Sequence, residues 1–433
     1  MRPPFPFITA RQSSGFGALV LCAGFTAQAH ASGFIDDTKA NIESRTVYFN
    51  RDFRDGHTST EQGASKRDES AQGFILNLQS GYTEGTVGFG VDALGMLGLK
   101  LDSSPDSSNS GLLPSTGQDP RGSEDQYAKL GLTAKVRVSQ SVLKYGALLP
   151  DVPLLKYNDG RLLPTMFNGA MLTSKEVKDL TFMAARLDQY TARDSTDAQD
   201  IRVHCKNKRY ACNITADHFD MYGFDYKLNE RLTAQYHYAE LEDIYRQHFV
   251  GLLANQPLGD GVLKADMRVL KSADSGDAKA GSIDNRALSG VLAYAISGHT
   301  FSAGWQRMNG DNSMPYLDGT NPYLVNYVQV NDFAAAQERS WQLRYDYDFK
   351  AIGINGLSFL TRYVNGDHIK VVGSDQEGKE WERDSELKYV VQSGAFKDVS
   401  LRLRNATYRT NYEKFARDVD ETRLIVSYNF SVL

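Results

Sequence analysis

The chain has 433 residues, 41% hydrophobic and 23% charged, with a formal net charge of −5. Beyond the N-terminal leader no run of about 18 apolar residues occurs, which excludes a transmembrane helix and leaves any membrane role to strands. The negative balance argues against nucleic acid as a partner, and the length suits either several ordinary domains or one large barrel.

The first 31 residues read as a cleaved signal peptide: Arg2 and Arg11 supply a basic start, Phe16 to Phe25 an apolar stretch, and Ala29-His30-Ala31 a small-residue cleavage site. The mature chain is expected to begin at Ser32, with residues 32–433 as a single barrel domain. Removing the two leader arginines from a charge of −5 leaves −7. Cys22 follows Leu21, too large a residue for a lipoprotein signal, so secretion without lipidation is expected.

Strands are expected near 42–50, 73–82, 86–100, 127–138, 141–146 and 179–188, with one weakly patterned strand between Gln189 and Phe219. They continue near 220–228, 232–239, 244–253, 262–270, 288–296, 300–307, 341–350, 357–364, 386–393, 399–407 and 421–432, a total of 18. The signal is alternation: Leu130, Leu132, Ala134, Val136 and Val138 share one face, and Lys129, Thr133, Lys135 and Arg137 the other. Trp341, Leu343, Tyr345, Tyr347 and Phe349 alternate with Gln342, Arg344, Asp346 and Asp348. Near the end, Leu424, Val426, Tyr428, Phe430 and Val432 alternate with Arg423, Ser427 and Ser431.

Alternation alone fits a soluble β-sandwich equally well. The connections favour a barrel: short turns at 83–85, 139–141, 229–231, 297–299, 351–356 and 394–398 alternate with long polar segments. Those long segments are 52–70, 101–124, 146–178, 309–340, 365–385 and 408–420. Short periplasmic turns on one rim and long extracellular loops on the other describe an all-β transmembrane antiparallel barrel of the bacterial outer membrane. Tyr82, Tyr226, Tyr238 and Tyr363, near strand ends, are expected in interfacial aromatic girdles. Cys205 and Cys212 are close enough to close a small disulfide loop, which an oxidising periplasm favours over a metal site.

Several phrases of the chain resemble the OprD-type substrate-specific porins of pseudomonads: Val47-Tyr48-Phe49-Asn50-Arg51-Asp52-Phe53, Gly85-Thr86-Val87-Gly88-Phe89-Gly90-Val91-Asp92 and Ala239-Glu240-Leu241-Glu242-Asp243-Ile244-Tyr245-Arg246-Gln247. Lys388-Tyr389-Val390-Val391-Gln392-Ser393-Gly394 and Arg423-Leu424-Ile425-Val426 extend the resemblance across the mature chain. It implies an 18-stranded barrel with an inward-folded third loop, a basic ladder guiding carboxylates, and passage of small carboxylate-bearing metabolites. The chain ends Phe430-Ser431-Val432-Leu433 rather than on the aromatic residue that barrel assembly usually reads; members of the family resemble it in this.

A pore needs fixed charges that replace part of a solute's hydration without trapping it. Lumen-phase candidates are Arg137, Arg344, Arg362, Lys388, Arg402, Arg404 and Arg423, and Lys135 shares their phase. Those on the last five strands are expected to form a basic column. The competing reading has each arginine paired with a lumen acid such as Asp346, Asp348, Glu386 or Asp266. Arg45 joins the candidates although its phase partners Val47 and Phe49 read as lipid-facing. In segment 146–178, Leu149-Pro150 and Val152-Pro153 stiffen a loop whose polar tip, Tyr157, Asn158, Asp159 and Arg161, is expected to border the eyelet.

No H-E-x-x-H, G-x-S-x-G, P-loop or dinucleotide fingerprint occurs, so an enzyme is not expected, and neither is a cofactor or metal. The expected function is passive uptake of monocarboxylic or aromatic acids, the branch suggested by Tyr157-Asn158-Asp159-Gly160-Arg161-Leu162-Leu163-Pro164. A basic-amino-acid channel is the nearest alternative, and would need an acidic patch facing the ladder. A barrel enzyme or a plugged adhesin are alternatives of other classes. Expected partners are small carboxylate solutes, outer-membrane lipid and lipopolysaccharide, and the barrel-assembly machinery, with the protein a monomer or loose trimer.

Overall fold

The computed structural model describes residues 32–54, 64–117, 122–206, 209–412 and 416–433. The expected leader and its cleavage site lie outside the described residues, as do parts of the loops expected at 52–70, 101–124 and 408–420.

After a short helix α1 (Ser32–Asp36), eighteen antiparallel strands close on themselves. They are β1 (Lys39–Phe53), β2 (Lys66–Gln79), β3 (Val87–Asp102), β4 (Gln126–Val138), β5 (Ser141–Leu148) and β6 (Met166–Ser174). Next come β7 (Leu180–Thr191), β8 (Phe219–Asn229), β9 (Leu232–Leu241), β10 (Tyr245–Leu258), β11 (Gly261–Asp274) and β12 (Asp284–Ile296). The wall ends with β13 (His299–Asn309), β14 (Arg339–Asp348), β15 (Leu357–Lys370), β16 (Glu377–Val390), β17 (Ser400–Thr410) and β18 (Val419–Ser431). Pairing of β18 with β1, Phe49 opposite Arg423, seals the barrel and leaves no free edge.

The two faces of each strand settle the choice between sandwich and membrane barrel. On β4, Leu130 and Leu132 are 76% and 62% exposed while Lys129 and Lys135 are 4% and 5% exposed, the reverse of a soluble sheet. The lysines are satisfied inside: Lys129 Nζ donates to the carbonyls of Ala192 (2.6 Å) and Pro164 (3.0 Å), and Lys135 Nζ lies 2.5 Å from Asp92 Oδ1. Apolar side chains face lipid, and buried polar groups face a partly filled lumen.

One expected strand is misplaced. Among the described residues no wall strand lies between Gln189 and Phe219, because β7 pairs directly with β8, Leu187 opposite Phe219. That segment instead extends β7 outward through Ala198–Arg202 and Thr215–Ala216, and carries the bonded Cys205–Cys212 pair, with Cα atoms 5.2 Å apart. The eighteenth strand is β6, inside the segment expected to be one loop from 146 to 178. A bulge between Asn168 and Gly169 breaks its alternation. Gly169 there has φ +155°, and a Cβ would meet the Arg186 carbonyl. Strands β15 and β16 also run further toward the long-loop rim than expected, to Lys370 and from Glu377.

Two long connections fold inward and pack on the wall. The third long loop, 149–165, sets Leu162 and Leu163 against Val47, Phe49, Leu94 and Met96. The loop between β13 and β14, 310–338, buries Leu317 and Leu324 against Phe219, Tyr245 and Phe249. The two loops are joined by a small sheet in which Thr320 and Asn321 pair with Tyr157 and Lys156. Val47 and Phe49 are therefore lumen-facing, 2% and 1% exposed, contrary to the lipid-facing phase expected for them. Tyr82 likewise faces the lumen rather than a girdle, stacked beneath Arg137 at 4.2 Å.

Candidate functional site

The tip of the third loop comes up against one stretch of wall, formed by β14 to β18 and β1. Its charges arise from the strand register. Arg344 on β14 faces Arg362 on β15, Lys388 on β16 faces Arg402 on β17, and Arg404 faces Arg423 on β18. Six of the expected basic residues are thus brought to one wall, and Arg45 on neighbouring β1 makes a seventh. Arg137 is not among them: it lies at the short-turn end of β4, on the far side of β1.

Acids accompany the column. Arg344 holds Asp346 (2.6 Å), Arg362 holds Asp384 (2.7 Å), and Arg423 and Arg51 share Glu421, each at 2.5 Å. Glu386 lies between Arg402 (3.4 Å) and Arg404 (3.1 Å), and Arg404 Nε meets it without hydrogen-bond geometry. Of the expected lumen acids, Asp346 and Glu386 do pair with the column. Asp348 instead caps a short 3-10 turn and Asp266 holds Arg268. One carboxylate serving two guanidiniums leaves part of each fork unspent.

The tip of the third loop reaches this wall. Arg45 grips Asp159 in a bidentate pair (2.6 and 3.0 Å) and also holds Glu43 at 2.8 Å. Arg423 Nη1 donates to the Gly160 carbonyl at 2.9 Å. Asn158 is the hinge of the tip: its Oδ1 accepts from Gly160 N (2.9 Å) and Arg193 Nη1 (3.1 Å), while its backbone N–H donates to Gly319 of the other inward loop. Tyr157 lines the lumen beside it, and burial raises its phenol pKa.

Arg161 has no carboxylate partner among the described residues. Its Nε and Nη1 donate to the carbonyls of Ser110 and Gly160, both at 2.9 Å. Its guanidinium sits 4.9 Å from the centre of the Phe49 ring, which Arg423 and Arg51 approach at 5.2 and 5.5 Å. Burial and the adjacent Arg423 and Arg193 push the Arg161 pKa well down, a sign of uncompensated positive charge.

Two adjoining cavities flank the tip, of about 190 and 300 Å³, and both are lined by Asp159, Arg161, Arg404 and Arg423. The smaller adds Arg45 and Arg402, the larger Arg193, Arg362 and Lys156, so basic groups outnumber acids by five to two and six to two. Arg193, Phe49 and Gln329 were not anticipated from sequence. They reach the site only through loop docking and carry no local signature.

The second inward loop is fastened above this point. Glu382 on β16 accepts the backbone N–H groups of Val330 (2.8 Å) and Asn331 (2.9 Å), and Gln329 donates to Glu421 (3.0 Å). Arg209 Nη1 donates to both carboxylate oxygens of Asp332 (2.9 and 2.8 Å); burial alone would raise the Asp332 carboxyl, but Arg209 and Lys206 hold it well below the usual carboxylate range.

Comparison with known proteins agrees with this architecture. Residues 32–432 match the family model described as outer membrane porin, OprD family. The chain is 38% identical to the porin-like protein GalP of Pseudomonas putida over 415 residues, 95% of this chain and 97% of GalP. Among solved structures it is similar to OccK10 (OpdN) of Pseudomonas aeruginosa (58% identity, TM-score 0.80) and to OpdK from the same organism, solved with vanillate (42% identity, TM-score 0.85). Both alignments cover 92% of this chain and 100% of the other. This eighteen-stranded barrel with inward loops thus has relatives over more than nine-tenths of its length, and the chain belongs to the OprD family of substrate-specific outer-membrane porins.

Proposed function

We propose that this porin selects small carboxylate-bearing solutes, monocarboxylic or aromatic acids, and passes them along the column Arg344, Arg362, Lys388, Arg402, Arg404 and Arg423 to the gap at Asp159–Arg161. The observation that carries this reading is the excess of guanidiniums over acids around the loop tip, with Arg161 and Arg193 lacking carboxylate partners among the described residues. A carboxylate arriving there exchanges hydration for bidentate contacts, and neighbouring arginines at the next register positions accept it in turn. Lumen water and the shared acids keep each contact weak enough to break. Tyr157 of the tip and Tyr327 of the second inward loop line the same cavity and give an aromatic solute a flat surface. Vanillate, an aromatic carboxylate, accompanies OpdK in its structure and supports the same choice of solute.

A basic-amino-acid channel would need acids free to face the column. Asp159 is already engaged by Arg45, and Asp151 by Lys156 at 2.5 Å, which favours the acid reading. In planar bilayers, benzoate added to one side is expected to block or slow single-channel current. Arg402→Ala/Arg404→Ala is expected to weaken that block roughly three- to tenfold, in keeping with water-exposed ion contacts. Block by arginine, with none by benzoate, would overturn the proposal.

A further inference from the structure

The outer wall carries a second set of cations that face away from the lumen. Lys271 on β11, Arg286 on β12, Arg307 on β13 and Arg339 on β14 are all exposed and share the outward phase with Trp305 and Trp341. All four lie at the long-loop end of their strands, the extracellular side of the barrel. Lys271 is directly opposite Arg286, and Arg307 directly opposite Arg339. Arg307 faces Leu288, so Arg286 is its diagonal neighbour, about 7–8 Å away by sheet geometry. Four adjacent strands therefore present one continuous cationic strip.

Like charges directly across a sheet destabilise it unless an anion joins them. Among the described residues none of these four side chains makes an ion pair. Elsewhere on the outer face the protein supplies its own acids: Arg186 pairs with Asp220 at 2.5 Å and Arg409 with Asp420 at 2.9 Å. The strip is uncompensated where neighbouring parts of the same rim are not. Two acids lie beside it on the outward face: Asp367, opposite Arg339, is engaged by His368, and Asp284, two residues from Arg286, forms no ion pair with the strip among the described residues.

Its height in the membrane identifies the missing anion. Trp305 and Trp341 face each other one outward position deeper than Arg307 and Arg339, and ring contacts at 5.7 and 5.6 Å continue the girdle through Tyr363 to Trp381. Such a girdle marks the boundary of the hydrocarbon. Cations just beyond it stand among lipid headgroups, in a leaflet whose characteristic lipid carries phosphate. We infer that Lys271, Arg286, Arg307 and Arg339 form a docking strip for the phosphorylated headgroup of an outer-leaflet glycolipid, lipopolysaccharide. Guanidinium forks match phosphate oxygens bidentately, and the tryptophans below would lie along the acyl chains.

The test uses the folded, detergent-solubilised barrel and native mass spectrometry with two probes, diphosphoryl lipid A and the same lipid with both phosphates removed. Wild type is expected to retain the phosphorylated lipid on the order of tenfold more tightly. K271S/R286S/R307S/R339S is expected to lose that preference while running as a folded barrel in unheated electrophoresis. K271R/R286K/R307K/R339K, which keeps the charge, is expected to retain most of it. Equal retention of both lipids by wild type, or an undiminished preference in the serine variant, would overturn the inference.

Discussion

Arg45 shows how one side chain ties the wall to the constriction. It spans Glu43 and Asp159 and also donates to the carbonyls of Arg161 (3.3 Å) and Leu162 (3.4 Å). Charge-assisted hydrogen bonds contribute about 1.5–3 kcal/mol, and with Asp159 36% exposed the low end of that range applies. Arg45→Ala is expected to free the tip without unfolding the barrel. In single-channel records this is read as more frequent switching between conductance levels, and a variant as quiet as wild type would contradict it. The basic character of this wall was legible in the sequence, because alternation placed Arg402, Arg404 and Arg423 in one phase. The environment of Arg45 was not. Val47 and Phe49 look lipid-facing when apolar is equated with outward, and only Leu162 and Leu163, more than a hundred residues later, make them interior. Phe49 in turn holds three guanidiniums that no local pattern would associate with it.

At the scale of elements, the two inward loops convert a wide barrel into a narrow passage. The inward course of the third loop was expected from the family resemblance, with its prolines and polar tip marking the segment. The loop 310–338 read only as a long polar connection, since its anchors, Glu380 and Glu382, sit on a strand far along the chain. The strand β6 escaped notice because its bulge and glycine spoil the period-two signal within nine residues. At the end of the second loop, Glu338 accepts from Ala335 N at 2.9 Å. Burial, reinforced by the Glu380 carboxylate, pushes its carboxyl well up from the ordinary range. Below about pH 4.3 the docked and released loop both hold the proton; above it the released form gives it up first, so docking weakens as pH rises toward the raised value. Current noise from this loop is therefore expected to grow as pH rises above the ordinary glutamate range in wild type and to stay flat in Glu338→Gln. Identical pH profiles for the two would remove Glu338 as the cause.

The whole molecule separates its charges. The chain carries a formal charge of −5, yet the passage at the loop tip is lined mainly by arginine. That separation permits anion selectivity in an acidic protein, because field lines concentrate in a low-dielectric constriction rather than following the net charge. The closure and the two unequal rims were legible, since turn lengths and alternation are properties of neighbouring residues, whereas the count of eighteen went with the family resemblance and included one misplaced strand. Where the loop tip meets the basic wall was not, because it depends on how the loops pack. The wall beside the loop tip, where basic groups outnumber acids, is expected to favour anions. The most direct test is the single-channel reversal potential of the wild-type barrel under a roughly tenfold potassium chloride gradient, compared with Arg402→Ala/Arg404→Ala. A reversal potential of the sign for anion preference, reduced in the variant, is the predicted result. Cation preference in wild type, unaffected by the two substitutions, would contradict the account.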